Sequence, residues 1–292
     1  MIHFLRAIIV LILLFINMVI VSTLIIIFSG IVLLLPIKNW RHQGRAWIQN
    51  WPVWWMDINA LILKIFDGAK WEIAGPNNLD TNHWYLLICN HQSWIDILIL
   101  GIYFRHKIPN LKFFMKKELL WTLPGAGLAC YLLGYPFMAR HSHEQIRKKP
   151  ELKNIDIQTT RASCNKFKEF PTTVVIFVEG TRFTTAKKES QQSPYQHLLK
   201  PKATGVALVL SELQNHLSSI INVSLQYHPQ YFSLFDFLLG KVKKIHLHIE
   251  LLPVTADLIG DPYQDRLFRK NVQGWLNQLW SIKDQKLTSF NE

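Results

Sequence analysis

From Ala7 to Ile37 the chain carries no charged residue, a run of 31 positions dominated by Ile, Leu and Val. A bilayer core needs about 20 apolar residues in helical form, so the run is long enough to cross one. As one continuous helix it measures about 46 Å, half as long again as the hydrocarbon layer. It must therefore tilt, protrude or break. Asn17, Ser22–Thr23 and Ser29–Gly30 are the weak points at which it could fold into a re-entrant hairpin. A cleaved signal sequence is the alternative, but its apolar core is normally about 7–15 residues and a small-x-small cleavage site should follow. None does, so the run is expected to stay as an anchor. Arg6 precedes it, whereas Lys38, Arg41 and Arg45 follow. That excess puts the rest of a once-spanning chain in the cytoplasm, and a hairpin leaves both flanks there.

Residues 40–66 add a second membrane signal. Five of the eleven tryptophans lie here: Trp40, Trp47, Trp51, Trp54 and Trp55. Trp47, Trp51, Trp54/Trp55, Ile58, Leu61/Ile62 and Ile65 follow helical spacing, with Asn50, Asp57 and Lys64 between them. Indole rings favour the headgroup region, so the segment reads as an interfacial amphipathic helix. A helix packed on the domain core accounts for the spacing equally well. Pro52 bends it early in either case.

Composition narrows the partners. Thirty-two basic residues against 20 acidic ones give a net charge of +12, so the natural partners are anionic: a phospholipid surface, nucleic acid or a phosphorylated substrate. With 49% hydrophobic residues the chain is no disordered polymer. The basic residues are dispersed and match no nucleic-acid module, so nucleic acid is not an expected partner. Three scattered cysteines, Cys89, Cys130 and Cys164, suit a reducing compartment and plain core positions.

Beyond residue 70, strand-like and helical runs alternate. Strands are expected at Lys70–Ala74, Trp84–Cys89, Phe113–Met115, Phe137–Met138, Thr173–Val178, Ile220–Gln226 and Val242–Leu252. Helices are expected near Trp94–Tyr103, Trp121–Leu133, Asp156–Lys168, Lys202–Leu213 and, long and amphipathic, Asp261–Leu287. The pattern implies an α/β fold, a twisted and largely parallel (mixed) sheet flanked by helices, behind a transmembrane helix and an interfacial helix. The expected division is residues 1–69 as membrane anchor and interfacial helix and residues 70–292 as one α/β domain. In such sheets sites gather at the carboxyl ends of strands.

Two strands end in unusual chemistry. Trp84–Cys89 runs into Asn90-His91-Gln92-Ser93-Trp94-Ile95-Asp96, and Thr173–Val178 runs into Glu179-Gly180-Thr181-Arg182. On one helix His91 and Asp96 would lie about 140° apart. They meet only if His91 sits in the loop and Asp96 on the first turn of the following helix. A carboxylate on one imidazole nitrogen then fixes the tautomer and leaves the other as a base. Gly-x-Ser-x-Gly is absent, so the nucleophile must be an incoming hydroxyl. The second motif offers a carboxylate, a close-approach glycine, a hydroxyl and a guanidinium whose fork of donors matches phosphate.

These blocks resemble the signatures of the glycerolipid acyltransferases, the 1-acylglycerol-3-phosphate (PlsC-like) family. Met115-Lys116-Lys117-Glu118-Leu119 followed by Pro124 and Gly125 is similar to the family's lysine segment, and Gly134-Tyr135-Pro136-Phe137-Met138-Ala139-Arg140 to its second motif. Leu198-Leu199-Lys200-Pro201-Lys202-Ala203-Thr204-Gly205 resembles the subgroup of lysocardiolipin-type acyltransferases and their bacterial relatives. The resemblance covers roughly residues 70–230. It implies His91 as general base and Asp96 as its orienting partner. It gives Lys116, Arg140 and Arg182 the phosphate of a lysophospholipid, and makes Glu179, Gly180 and Thr181 line the acceptor site. The acyl donor is acyl-CoA or acyl-carrier protein, and no metal or other cofactor is implied. The expected location is a membrane, the bacterial inner one, with the catalytic domain facing the cytoplasm. One departure stands out: Asn222, in Ile220-Ile221-Asn222-Val223-Ser224, occupies the place of a proline in the family's fourth block.

The remaining features have plainer readings. His141 and His143 beside Arg140 suggest a solvated or phosphate-facing patch more than a metal site, and His246 and His248 the polar face of a strand. Lys187–Lys188 and Arg147–Lys149 read as solvated loops. Lys200 and Lys202 precede a helix start that could bind an anion. A non-catalytic membrane scaffold that kept the fold is the alternative to an enzyme, and intact His91, Asp96, Glu179 and Arg182 argue against it. Nothing in the sequence sets the oligomeric state.

Overall fold

The charge-free run forms one unbroken helix, α1 (Ile2–Leu34), about 50 Å long, with no hairpin. The computed structural model describes residues 2–66, 68–76, 78–139, 147, 151–263 and 265–290. The domain lies alongside α1. One stripe of the helix, Ala7, Val10, Asn17, Ser22, Ile25 and Val32, is buried against it, while Phe4, Leu11, Phe15, Ile20, Ile27 and Ile31 face outward. Two of the expected weak points, Asn17 and Ser22, make hydrogen bonds within the unbroken helix or from it. Asn17 Nδ2 donates to the Trp55 carbonyl (3.1 Å) and to Asn59 Oδ1 (2.7 Å). The Ser22 hydroxyl donates to the Met18 carbonyl one turn back, at 2.6 Å.

The expected single helix over residues 40–66 is two, α2 (Lys38–Gln49) and α3 (Trp51–Phe66). The break falls at Asn50, which leaves Pro52 in the first turn of α3, where its missing N–H costs nothing. Gly44 lets α2 touch α1, since a Cβ there would come 2.6 Å from a Val32 methyl. Each reading of the segment describes one of its faces. Trp51, Met56, Ile62 and Leu63 are buried, whereas Trp47, Trp54, Ile58, Leu61 and Ile65 are exposed.

The sheet has six strands: β1 (Lys70–Ala74), β2 (Trp84–Cys89), β3 (Leu111–Phe113), β6 (Thr173–Phe177), β7 (Leu217–His228) and β8 (Lys244–Leu252). Their order is β1-β8-β7-β2-β6-β3, and only the β7–β8 pair is antiparallel. Two further strands, β4 (Met115–Lys116) and β5 (Phe137–Met138), pair in parallel beyond β3. The central strand β2 is buried on both sides, as its continuous apolar run requires. On one face, Leu87, Cys89, Val175 and Val223 join α1, α3 and α4 (Ile95–Phe104) in one core. On the other, Leu86, Ile88 and Val174 pack under three further helices. Those are α7 (Glu151–Phe167), α9 (Ala203–Leu213) and the long α11 (Arg266–Ser289), with the short α8 (Thr185–Ser190) and α10 (Leu234–Leu238) between them in the chain. The expected helix near Trp121–Leu133 is instead two short ones, α5 (Leu119–Thr122) and α6 (Ala126–Leu132). Between them lie Pro124 and Gly125, the latter at φ +69, a conformation suited to glycine.

Lys112 of β3 is buried beneath the end of α2, where its ammonium donates to Gln49 Oε1 (2.7 Å) and the Leu133 carbonyl (2.8 Å). Burial without a carboxylate partner lowers its pKa to about 7. The unfolded chain therefore binds the extra proton between pH 7 and the ordinary lysine range. Stability from this group rises with pH across that window and falls as the buried amine must charge. Subtracting the melting curves of a Lys112→Met variant should isolate this rise, with a slope of at most about 1.4 kcal/mol per pH unit. A variant with an unchanged pH profile contradicts the assignment.

Candidate active site

At the end of β2 the chain leaves the sheet through Asn90, which is fully buried. Its side chain takes the place of a strand partner: Nδ2 donates to the Leu225 carbonyl (2.8 Å) and Oδ1 accepts from the Leu225 N–H (2.9 Å). The loop is thereby pinned to β7, and His91 follows at a fixed point. Asp96 stands on the first turn of α4, as the five-residue spacing requires. Its Oδ2 lies 2.8 Å from His91 Nδ1 and also accepts from the Gln92 (2.7 Å) and Ser93 (3.0 Å) N–H groups. Its Oδ1 accepts from the Tyr227 hydroxyl at 2.7 Å. Burial and the neighbouring Asp96 push the Tyr227 pKa well up, so that hydroxyl stays a donor.

The imidazole is further fixed by Phe177, whose ring stacks on it at 3.9 Å between centroids. With Nδ1 committed to Asp96, Nε2 is the free nitrogen, and the side chain keeps 15% of its surface exposed. A neutral imidazole held in this way has its lone pair on Nε2.

The second loop leaves β6 beside the first. Phe183 N–H donates to the His91 carbonyl at 2.7 Å and ties the two together. Gly180 turns at φ +70, and a Cβ there would come 3.4 Å from the Lys202 ammonium, so Lys202 lies over this turn. Arg182 sits 4.7 Å above the exposed Trp94 ring. Thr181 Oγ1 accepts from Lys187 Nζ (2.8 Å), which also donates to the Arg182 carbonyl. Burial and the nearby Arg182 lower the Lys187 pKa. Three cations, Arg182, Lys187 and Lys202, thus gather round one turn. Lys187 is a member of this cluster and not a solvated loop residue.

Glu179 departs from the expected placement. It has no exposed surface and lies under the turn. Burial raises its pKa to about 8 against the pull of nearby N–H groups and Lys283. Lys116 is exposed on β4, three residues past the end of β3 and so beyond the strands' carboxyl ends. Arg140, His141 and His143 lie outside the described residues. Asn222 is mid-strand in β7, where Nδ2 donates to Glu250 Oε2 of β8 at 2.7 Å. His246 and His248 do share a face of β8, although His246 is buried beside Glu72 and Phe290. Among the described residues no group of three His, Cys, Asp or Glu side chains is arranged to hold a metal. Cys89 and Cys164 are buried in the two cores.

Tyr227 has no counterpart among the residues expected from the sequence. Its signal was its position: Ile221, Val223, Leu225 and Tyr227 alternate along β7, so a hydroxyl closes an otherwise apolar face.

A site of this geometry, a His–Asp pair with one nitrogen open beside a cationic turn, suits transfer onto a hydroxyl of a phosphorylated molecule. The chain belongs to the acyltransferase family, whose model matches residues 70–223. It is 24% identical over 288 residues to lysophosphatidylinositol acyltransferase 10 of Caenorhabditis elegans, covering 91% of this chain and 67% of that protein. It is 26% identical over 262 residues to the probable 1-acyl-sn-glycerol-3-phosphate acyltransferase 5 of Arabidopsis thaliana, covering 84% and 61%. The chain thus spans about two thirds or less of the length of these relatives. Its fold is shared by the crystal structure of the 1-acyl-sn-glycerophosphate (LPA) acyltransferase PlsC from Thermotoga maritima, with a TM-score of 0.55, 16% identity and 95% of each chain covered.

Proposed function

We propose that this protein transfers a fatty acyl group from a thioester, acyl-CoA or acyl-carrier protein, to the free glycerol hydroxyl of a lysophospholipid, 1-acylglycerol-3-phosphate being the leading acceptor. The observation that carries this is the His91–Asp96 pair with Nε2 open beside Arg182 and Lys202. Nε2 takes the hydroxyl proton as the oxygen attacks the thioester carbonyl. The tetrahedral adduct collapses, the carbon–sulfur bond breaks, and the leaving thiolate recovers the proton from the imidazolium. Asp96 faces that imidazolium throughout. Proton transfer of this kind contributes about 10²–10⁴-fold, so positioning by the cationic turn and loop must supply the rest. Lys116 and Arg140 join Arg182 as phosphate holders on this reading.

The same reading places the protein in a membrane. His3–Leu34 is long and apolar enough to cross one, and the outward apolar faces of α1 and α3 are where lipid would sit. The basic flank orients the domain toward the cytoplasm.

The test is purified protein in lipid or detergent with a panel of lysophospholipids and both donor types, following thiol release and diacyl product. Lysophosphatidic acid and lysophosphatidylinositol belong in the panel, since relatives named for each are similar to this chain. Product with one acceptor names the head group. Silence with both donors across the panel sinks the enzyme reading and leaves the scaffold. In an active protein Arg182→Ala should raise the acceptor KM about tenfold or more, the loss of one charge-assisted phosphate contact. An unchanged KM removes Arg182 from the phosphate site.

A further inference from the structure

Behind the His91 loop, Glu179 is 0% exposed and neither of its oxygens closes a hydrogen bond of ordinary geometry. Around it stand the backbone N–H groups of His91 and Leu199, the Trp280 indole and the Lys283 ammonium. The last two come from α11, outside the segment matched to the family. Lys283 is only 2% exposed; its Nζ donates to the Val223 carbonyl at 2.6 Å and lies 4.4 Å from the Trp280 ring. Val223 pairs in register with Cys89, two residues before His91. The helix therefore carries a cation under the sheet to the carboxyl ends of β2 and β7. The other charged or titratable groups that face it are Cys89 of β2 and Glu250 of β8, the latter also bonded to Asn222 and His248.

A buried ammonium and a buried carboxylate are each costly alone and tolerable as a pair. Trp280 Nε1, also buried without a hydrogen-bond partner, adds a donor on the same side.

We propose that Lys283 is a positioning residue: anchored from the C-terminal helix on the Val223 carbonyl beside Cys89, its charge acts across the buried space on the Glu179 side chain behind the His91 backbone and so fixes the loop that carries the general base. This rests on the acyltransferase reading. Lys283 touches no substrate, so it acts on the transition state through Glu179 and His91. Burial alone drives Glu179 toward its neutral form and Lys283 toward its free amine, and each partner opposes the other's loss of charge.

The test is a cycle of Lys283→Met, Glu179→Gln and the double variant, in kinetics and in thermal melting. Lys283→Met should lower kcat about tenfold and leave the acceptor KM within about twofold, and the double variant should be no worse than the poorer single. Without the cation Glu179 ionises only at higher pH. The deficit of Lys283→Met should therefore shrink as pH rises, and this recovery should vanish in the Glu179→Gln background. Lys283→Gln, which keeps a donor for Val223 but no charge, is the second variant should Met not fold. Wild-type kcat in Lys283→Gln overturns the proposal. So do effects that multiply in the double variant, or a loss confined to KM. If the wild type itself transfers nothing, the acyltransferase reading falls, and the melting cycle still decides the pairing. Coupled shifts in melting temperature support it and independent shifts overturn it.

Discussion

Acyl transfer by the His91→Ala variant is expected to fall about 10²–10⁴-fold in kcat, with membrane attachment and melting temperature retained. The side chain is the outermost member of its cluster. Removing it takes away the ring stacked on Phe177 and one of four donors to Asp96, while the Gln92, Ser93 and Tyr227 bonds remain. The carboxylate thus stays satisfied, so a loss of activity reports the base and not a collapsed loop. Thiol release from the donor, measured beside wild type, is the readout. Appreciable residual turnover would remove His91 from the proton-transfer step.

The second large effect is expected from Asp96→Asn, and here the geometry allows a clean substitution. Three N–H donors point at Oδ2, so the asparagine must place its carbonyl there. Its amide then faces Tyr227, whose hydroxyl oxygen can accept as well as donate. The loop keeps its bonds, but the imidazolium that forms during reaction loses its counter-charge. A hydrogen bond to a charged group is worth about 1.5–3 kcal/mol, which corresponds to about 10- to 10²-fold in kcat. Activity close to wild type with Asn at this position would mean that Asp96 only orients the ring.

What could be read from the sequence was what is local. Lys70–Ala74, Trp84–Cys89 and Phe137–Met138 form strands with the bounds that their apolar runs set. The His91–Asp96 contact is also local, because one junction between strand and helix contains both. The unexpected parts all depend on distant partners. Asn17 looks like a break in an apolar helix until Asn59, 42 positions on, is beside it. Tyr227 reaches Asp96 across 131 positions and Leu225 meets Asn90 across 135. No periodicity records such pairings. Lys283 left a fainter trace. It falls on the buried stripe Phe268, Val272, Leu276, Trp280 and Leu287 of α11, where a helix facing a core should carry no charge. Glu179 shows the opposite failure. Its motif named it a site residue, and only the fold reveals that it is fully buried.

The packing of α1 bears on how the protein is made. Ala7 and Val10 share a core with Leu225, Tyr227 and Phe237, residues more than 200 positions later in the chain. Synthesised well before them, α1 therefore waits, with one face uncovered, for the later strands of the sheet. Those strands can finish folding only where that helix already lies. Assembly of the His91–Asp96–Tyr227 cluster then takes place against α1 itself. Severing the chain after Leu34 would yield an unfinished domain with an open seam, not a free-standing enzyme.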